Sequence, residues 1–331
     1  MIDRTARPAP EEAIEPDLPI CDPHHHLWDY PDSRYLVDEF LDDLNGGHKI
    51  TRTVYVECRH EWRTDGPEAM RPVGETVYVE RLITHREADT ATTHVAAGIV
   101  GFANLALGAA VRPVLAAHLA ASHRFRGIRH MSAWDASEQI RNAQTNPSPH
   151  LLHNPKFREG FACLSEFDLS FDAWVYHPQI PDVTDLAKAF PDTPIVLNHV
   201  GGPLGIGPYA NRRDEVFRDW QTHLGELARC PNVCVKLGGL TMSSSGFGWH
   251  KRETPPDSGE LAAAMSPYYR ACIELFGAQR CMFESNFPID RVSCSYTVLW
   301  NAFKRLSRDY SAAERAALIH DTAAKVYRLE V

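Results

Sequence analysis

The chain has 331 residues, a formal net charge of −9, 44% apolar residues and 10% aromatics. That composition supplies a large core, and its acidic balance leaves no basic face, which argues against nucleic-acid and anionic-membrane partners. Residues 1–19 are charged and proline-rich with no apolar targeting core, no uninterrupted apolar run is long enough to span a bilayer, and the eight cysteines form no CxxC pair; these features predict a cytoplasmic, reducing location.

The first element is announced by Pro19-Ile20 and the run Cys21-Asp22-Pro23-His24-His25-His26-Leu27-Trp28-Asp29. In a strand side chains alternate between faces, so His24 and His26 point together, with Asp22 one step deeper, and His25 points away. Two neutral imidazoles side by side at a strand tip can share a divalent ion, although two ligands alone do not complete a site. A β-branched run follows at 52–58, then helical periodicity over 75–92, a strand over 94–102, an Ala/Leu-rich helix over 109–122 and a strand over 125–131. A helix over 155–166, a strand over 169–177 and a helix at 180–190 come next, then a strand over 194–199 and a long helix over 212–229. The last units are a strand over 232–238, a helix over 258–277, a strand over 281–286 and a helix over 294–307.

Eight strands alternating with helices call for a parallel sheet, and eight such units close a (β/α)8 TIM barrel. A doubly wound open sheet is the rival, but no glycine-rich phosphate loop follows any strand. The chain reads as an N-terminal extension over 1–19 and a single barrel domain over 20–331. In a barrel the active site lies at the C-terminal ends of the strands. His24, His26, Glu57, Arg129, His130, His177, His199 and Asn286 all fall at or next to such ends, and Lys236 lies in the seventh strand. Three loops on that face, 132–153, 200–211 and 239–257, are long enough to expect a functional role. The first and third are candidate lids, carrying Trp134, Trp249 and His250.

The opening DxHxHLWD, His177, the NHxGGP of Asn198–Pro203, the VKLGGL of Val235–Leu240 and the MFESNFP of Met282–Pro288 together resemble the amidohydrolase superfamily. Within it they resemble the amidohydrolase-related branch of lactonases and decarboxylases. The resemblance runs from about residue 20 to 329. It implies a TIM barrel, a divalent ion (zinc or manganese) on His24, His26 and His177, and His199 beside the reacting carbonyl or as a further ligand. Some members of the branch work without metal. One position departs from the pattern: Asn286 stands where the family carries an aspartate that accepts the proton of the attacking water. An amide cannot act as a base near neutral pH. Glu284, two residues earlier, and Glu57 are the carboxylates positioned to replace it; the competing reading of Glu284 is a salt bridge to Lys236 or Arg129.

The resulting expectation is a hydrolase that opens a small carboxylated lactone with activated water. His199, Glu284, Asn286 and Glu57 form its catalytic set, and Arg129, His130, Trp134 and Lys236 its substrate-binding set. A decarboxylase of aromatic or unsaturated acids and a base-less ligand-binding barrel are the alternatives. A small-molecule substrate is the expected partner, with a homodimer as the common assembly of such barrels.

Overall fold

The computed structural model describes residues 11–86 and 93–329. Among them, eight strands form one sheet in chain order: β1 Pro19–His25, β2 Lys49–Val56, β3 His94–Gly101, β4 Phe125–Arg129, β5 Ser170–Ala173, β6 Ile195–Leu197, β7 Val233–Leu237 and β8 Cys281–Phe283. Each pairs in parallel with the next. The seam between β8 and β1 is joined beyond the strand ends. The Asn286 N–H donates to His24 O at 2.9 Å and the His26 N–H to Phe287 O at 2.8 Å. Asp22 reinforces this seam, taking the Ser285 N–H at 2.9 Å and the Tyr296 hydroxyl at 2.9 Å. The barrel read from the βα alternation is thus the architecture the chain adopts.

The helices lie between the strands: α1 Val37–Leu44, α2 Val73–Thr84, α3 Arg112–Ala121, α4 Pro155–Glu166, α5 Ile180–Ala189, α6 Arg213–Leu227, α7 Ser258–Phe276, α8 Tyr296–Leu306, α9 Ala312–Ala316 and α10 Thr322–Val326. Their starts are written locally. Asn154 accepts the Lys156 and Phe157 N–H groups ahead of Pro155 at the first helical position, and Asp257 and Ser295 cap α7 and α8. The helix expected over 75–92 begins at Val73 and ends at Thr84; residues 87–92 lie outside the described residues. α1 and a short hairpin of Trp28–Tyr30 with Ser33–Tyr35 were not read from the sequence.

Two strands stop earlier than their apolar runs. β5 ends at Ala173 because the chain turns into a short 3₁₀ segment, His177–Gln179, whose Pro178 has no N–H for a ladder. β8 ends at Phe283, and the chain soon reaches a left-handed Asn286 (φ 56°) that breaks the extended run.

Side chains alternate across the wall. Phe171, Ile195, Leu197, Val233 and Phe283 point outward and pack with Phe157, Leu164, Trp220 and Trp300 of the helices. Each such burial contributes about 1.5–3 kcal/mol. Inside, Cys21, Val54, Val56, Val100, Val196 and Met282 form an apolar layer with Ala323 and Tyr327 of the C-terminal segment. Above that layer the lumen becomes polar. Among the described residues no helix is long and apolar enough to cross a membrane.

Candidate active site

The polar layer is a set of buried charges arranged in pairs. Lys236 donates to Asp172 Oδ2 at 2.7 Å, and the Tyr327 hydroxyl and Asn198 amide donate to the same carboxylate at 2.9 Å each. Arg129 Nε donates to Glu57 Oε1 at 2.8 Å, and its Nη2 donates to the Glu57 carbonyl. Burial raises the Glu57 pKa while Arg129 opposes the rise. Each lumen cation therefore has its own carboxylate. Glu284, fully buried, has none: its neighbours are His24 and His199. The salt bridge from Glu284 to Lys236 or Arg129 considered from sequence does not form, because Asp172 and Glu57 take those cations.

Glu284 Oε1 accepts His199 Nδ1–H at 2.6 Å and the His199 backbone N–H at 3.1 Å. A bond this short to a carboxyl oxygen fixes the ring's orientation. With Nδ1 engaged, His199 Nε2 has no hydrogen-bond partner among the described residues, and the ring lines an open cleft. His24 packs on His199 with ring centroids 4.6 Å apart, and on His26 at 5.0 Å. Arg129 and Lys236 each bring a donor to within 3.3 Å of a His24 ring nitrogen. Burial and these cations hold His24 well below the usual imidazole range, so it stays neutral, and burial with Arg129 does the same to His26. His25 points to the other face, as alternation required, stacking on Phe40 of α1 and meeting Thr53 Oγ1 at 2.9 Å.

Backbone shape makes room for this pair. A Cβ added at Gly239 (φ +71°) would sit 2.5 Å from His199 Cβ, and one at Gly238 only 2.3 Å from Glu284 Cγ. The Gly238-Gly239 step after β7 is therefore a contact surface for the side chains of His199 and Glu284. After β6 the chain runs through His199 (φ 53°) and Val200 (φ 48°) in the left-handed region. For a β-branched residue that conformation costs on the order of 1–3 kcal/mol and persists only where surroundings impose it. Here Trp220 Nε1 holds the Val200 carbonyl at 2.7 Å, and the Gly202 N–H returns to His199 O at 2.9 Å. The sharp turn presents the His199 ring to the lumen.

The cleft above has a volume of about 520 Å³. It is lined by His26, Arg129, His199 and Asn286 below, by Trp28, Tyr30, Trp174 and Tyr176 on its sides, and by Arg141–Gln144 and Met242–Ser244 from the two loops expected to be lids. Trp174 meets the His199 ring edge-on at 4.7 Å. It escaped the sequence reading, which chose Trp134; its signal was its position one residue past β5. Trp134 is not among the lining residues, and its N–H donates to Gln179 Oε1. Trp249 stacks on Phe247 at 4.4 Å.

Three further expectations are displaced. His177 is not brought to His24: its Nδ1 accepts the Leu204 N–H at 3.3 Å and its ring packs on Tyr209, since the turn at Pro178 swings it off the lumen. His130 lines a neighbouring cleft of about 480 Å³ with Trp62 and Phe102. Lys236 lies too deep to touch a substrate in the cleft, fully buried against Asp172. Asn286 does line the cleft, and its amide donates to Asp290 Oδ1 at 3.2 Å. Asp290 is buried, and its carboxyl is pushed up to about 8 by that burial and by Glu284, so it is no ionised base at neutral pH.

The donor chemistry suits a divalent ion. His24, His199 and Glu284 each offer an atom within 4.8 Å of the others, all buried. Glu284 Oε2 lies 2.7 Å from His24 Nδ1 yet has no hydrogen-bond partner. Two imidazoles and an under-satisfied carboxylate oxygen match what zinc or manganese binds.

The Amidohydrolase family profile matches residues 21–329. The y4mH protein of Sinorhizobium fredii is 31% identical over 337 residues, spanning 95% of this chain and 99% of that protein. An L-fucono-1,5-lactonase of Burkholderia ambifaria is 30% identical over 284 residues, 82% of this chain and 81% of its own length. The crystal structure of an amidohydrolase from Burkholderia multivorans with bound zinc aligns at a TM-score of 0.71 and 25% identity, covering 94% of this chain and 99% of that one.

Proposed function

The chain belongs to the amidohydrolase family and is a hydrolase, and from that premise we propose that it opens the ring of a small polyhydroxylated lactone. The observation that carries the reading is the buried Glu284–His199 pair at the floor of the cleft. His199 Nε2 takes a proton from water as the water attacks the lactone carbonyl. Glu284 holds Nδ1–H and stabilises the imidazolium that forms. The ring C–O bond then breaks, and the leaving hydroxyl recovers the proton from His199. His26 lines the wall beside His199 and is the group available to the carbonyl oxygen as it gains charge. His24, His199 and Glu284 would hold a divalent ion only in place of that proton transfer, since His199 cannot ligate and act as base at once; the ion would then lower the pKa of a bound water. The Glu284–His199 pair thus takes the task that the family gives to the aspartate at position 286, with His199 accepting the proton and Glu284 holding the ring.

A neutral hydroxylated ring suits the cleft better than the carboxylated lactone expected from sequence. Arg129, the expected carboxylate anchor, is committed to Glu57, and His130 faces the other cleft. The lining offers instead aromatic faces for the ring and amide and hydroxyl groups for its substituents: Asn142, Gln144, Ser243 and Ser244. The lactonase name of a relative 30% identical points the same way. The test is a panel of aldono-1,4- and aldono-1,5-lactones followed with a pH indicator at neutral pH. Ring opening above the spontaneous rate for at least one hydroxylated lactone supports the proposal. Release of carbon dioxide from phenolic acids with no lactone opened would replace it with the decarboxylase reading.

A further inference from the structure

The loop that supplies Arg141–Gln144 to the cleft ends in a second histidine group, remote in chemistry from the first. His150 Nδ1 lies 3.1 Å from Asp182 Oδ2, and His153 Nε2 lies 3.0 Å from Asp182 Oδ1, on the first turn of α5. The three donor atoms fall within 4.8 Å of one another. The Asp182 carboxylate is nearly buried, at 10% exposure, while the imidazoles are 71% and 45% exposed. The carboxylate is thus a floor and the two rings an open rim. Asp182 has no Lys or Arg partner among the described residues, and Arg158 beside it is bound to Asp185. The other nitrogen of His153 faces the Arg158–Asp185 pair, 3.5 Å from Arg158 Nη2 and 3.6 Å from Asp185 Oδ2. A carboxylate behind a ligating histidine is the arrangement that orients imidazoles toward metals. His150 is itself in the left-handed region (φ 54°), uncommon for a residue other than glycine.

We propose that His150, His153 and Asp182 form a peripheral site for a zinc-type divalent ion that fastens the cleft loop to α5. Two imidazole nitrogens and one carboxylate oxygen supply three of four tetrahedral positions and leave one for water. Imidazole donors favour zinc, nickel or copper and disfavour magnesium and calcium, which want oxygen. Fastening matters because the clamped segment continues from residues 141–144, which wall the cleft, so an ion here sets the loop without touching the reacting groups.

Equilibrium dialysis of zinc against the full chain and the H150A/H153A variant tests the site. The wild type is expected to hold one more equivalent per chain than the variant, unaffected by millimolar magnesium or calcium. D185N, which keeps all three ligands, is expected to weaken zinc binding about tenfold. Equal zinc counts in wild type and double variant overturn the site. An anomalous difference map at the zinc edge is independent of any variant's folding. A peak between His150, His153 and Asp182 supports the site, and zinc elsewhere with none there overturns it. Zinc should also slow tryptic cleavage after Arg141 in the wild type only; equal cleavage with and without zinc overturns the fastening.

Discussion

Replacing Glu284 with Gln isolates the charge that the account places at its centre. The side chain keeps its length and an amide oxygen that can still accept the His199 N–H groups, now at 2.6 and 3.1 Å. What disappears is the negative charge facing Nδ1–H. A positioned base is worth about 10²–10⁴ in rate, which at about 1.36 kcal/mol per tenfold is roughly 3–5 kcal/mol of transition-state stabilisation. The fold should survive, because Lys236 and Arg129 are matched by Asp172 and Glu57 and neither loses its partner. The expected result is kcat/KM for the best lactone reduced by two to four orders of magnitude, with the loss in kcat and the melting temperature nearly unchanged. Stopped-flow indicator assays and a thermal melt on the same preparation read both. An E284Q enzyme within threefold of wild type would refute the assignment of Glu284 as the carboxylate that makes His199 the base.

Gly238→Ala should lower activity at least as much as it lowers stability, since its Cβ would meet Glu284 Cγ at 2.3 Å; a variant with normal kcat and only a lower melting temperature would argue against that contact. Arg129→Ala strips the partner from a fully buried Glu57 and should cost about 3–5 kcal/mol in urea unfolding, with E57Q/R129M recovering part of the loss. Dialysis against a chelator, followed by metal analysis, should remove any ion held by His24, His199 and Glu284 and slow ring opening; full activity in metal-free protein would leave the Glu284–His199 pair as the sole means of activating water.

The barrel was legible because each strand carried its own apolar run and each helix its own period; those local patterns do not depend on distant partners. His24, His26, His199 and Glu284 were legible for the same reason, since a strand tip in a barrel has one place to point. The failures lie where the chain leaves regular geometry. Pro178 turns His177 toward Leu204 and Tyr209, and no spacing rule reports a 3₁₀ turn four residues past a strand end. Charge pairing was equally hidden. Glu57 and Arg129 were read as separate agents, but they are 72 residues apart in sequence and bound to each other. Asp172, the partner of Lys236, was missed within a four-residue strand whose inward position only the barrel reveals. Asn286 looked like a lesion from sequence; beside a protonated Asp290 its amide acts as a donor.

The most direct measurement is a crystal structure with a non-hydrolysable analogue of a hydroxylated lactone. The account predicts its ring carbonyl within about 2.6–3.2 Å, directly or through one water, of His199 Nε2, with the ring against Trp174. An analogue seated instead in the neighbouring cleft lined by Trp62, Phe102 and His130, with the cleft over His199 empty, would contradict it.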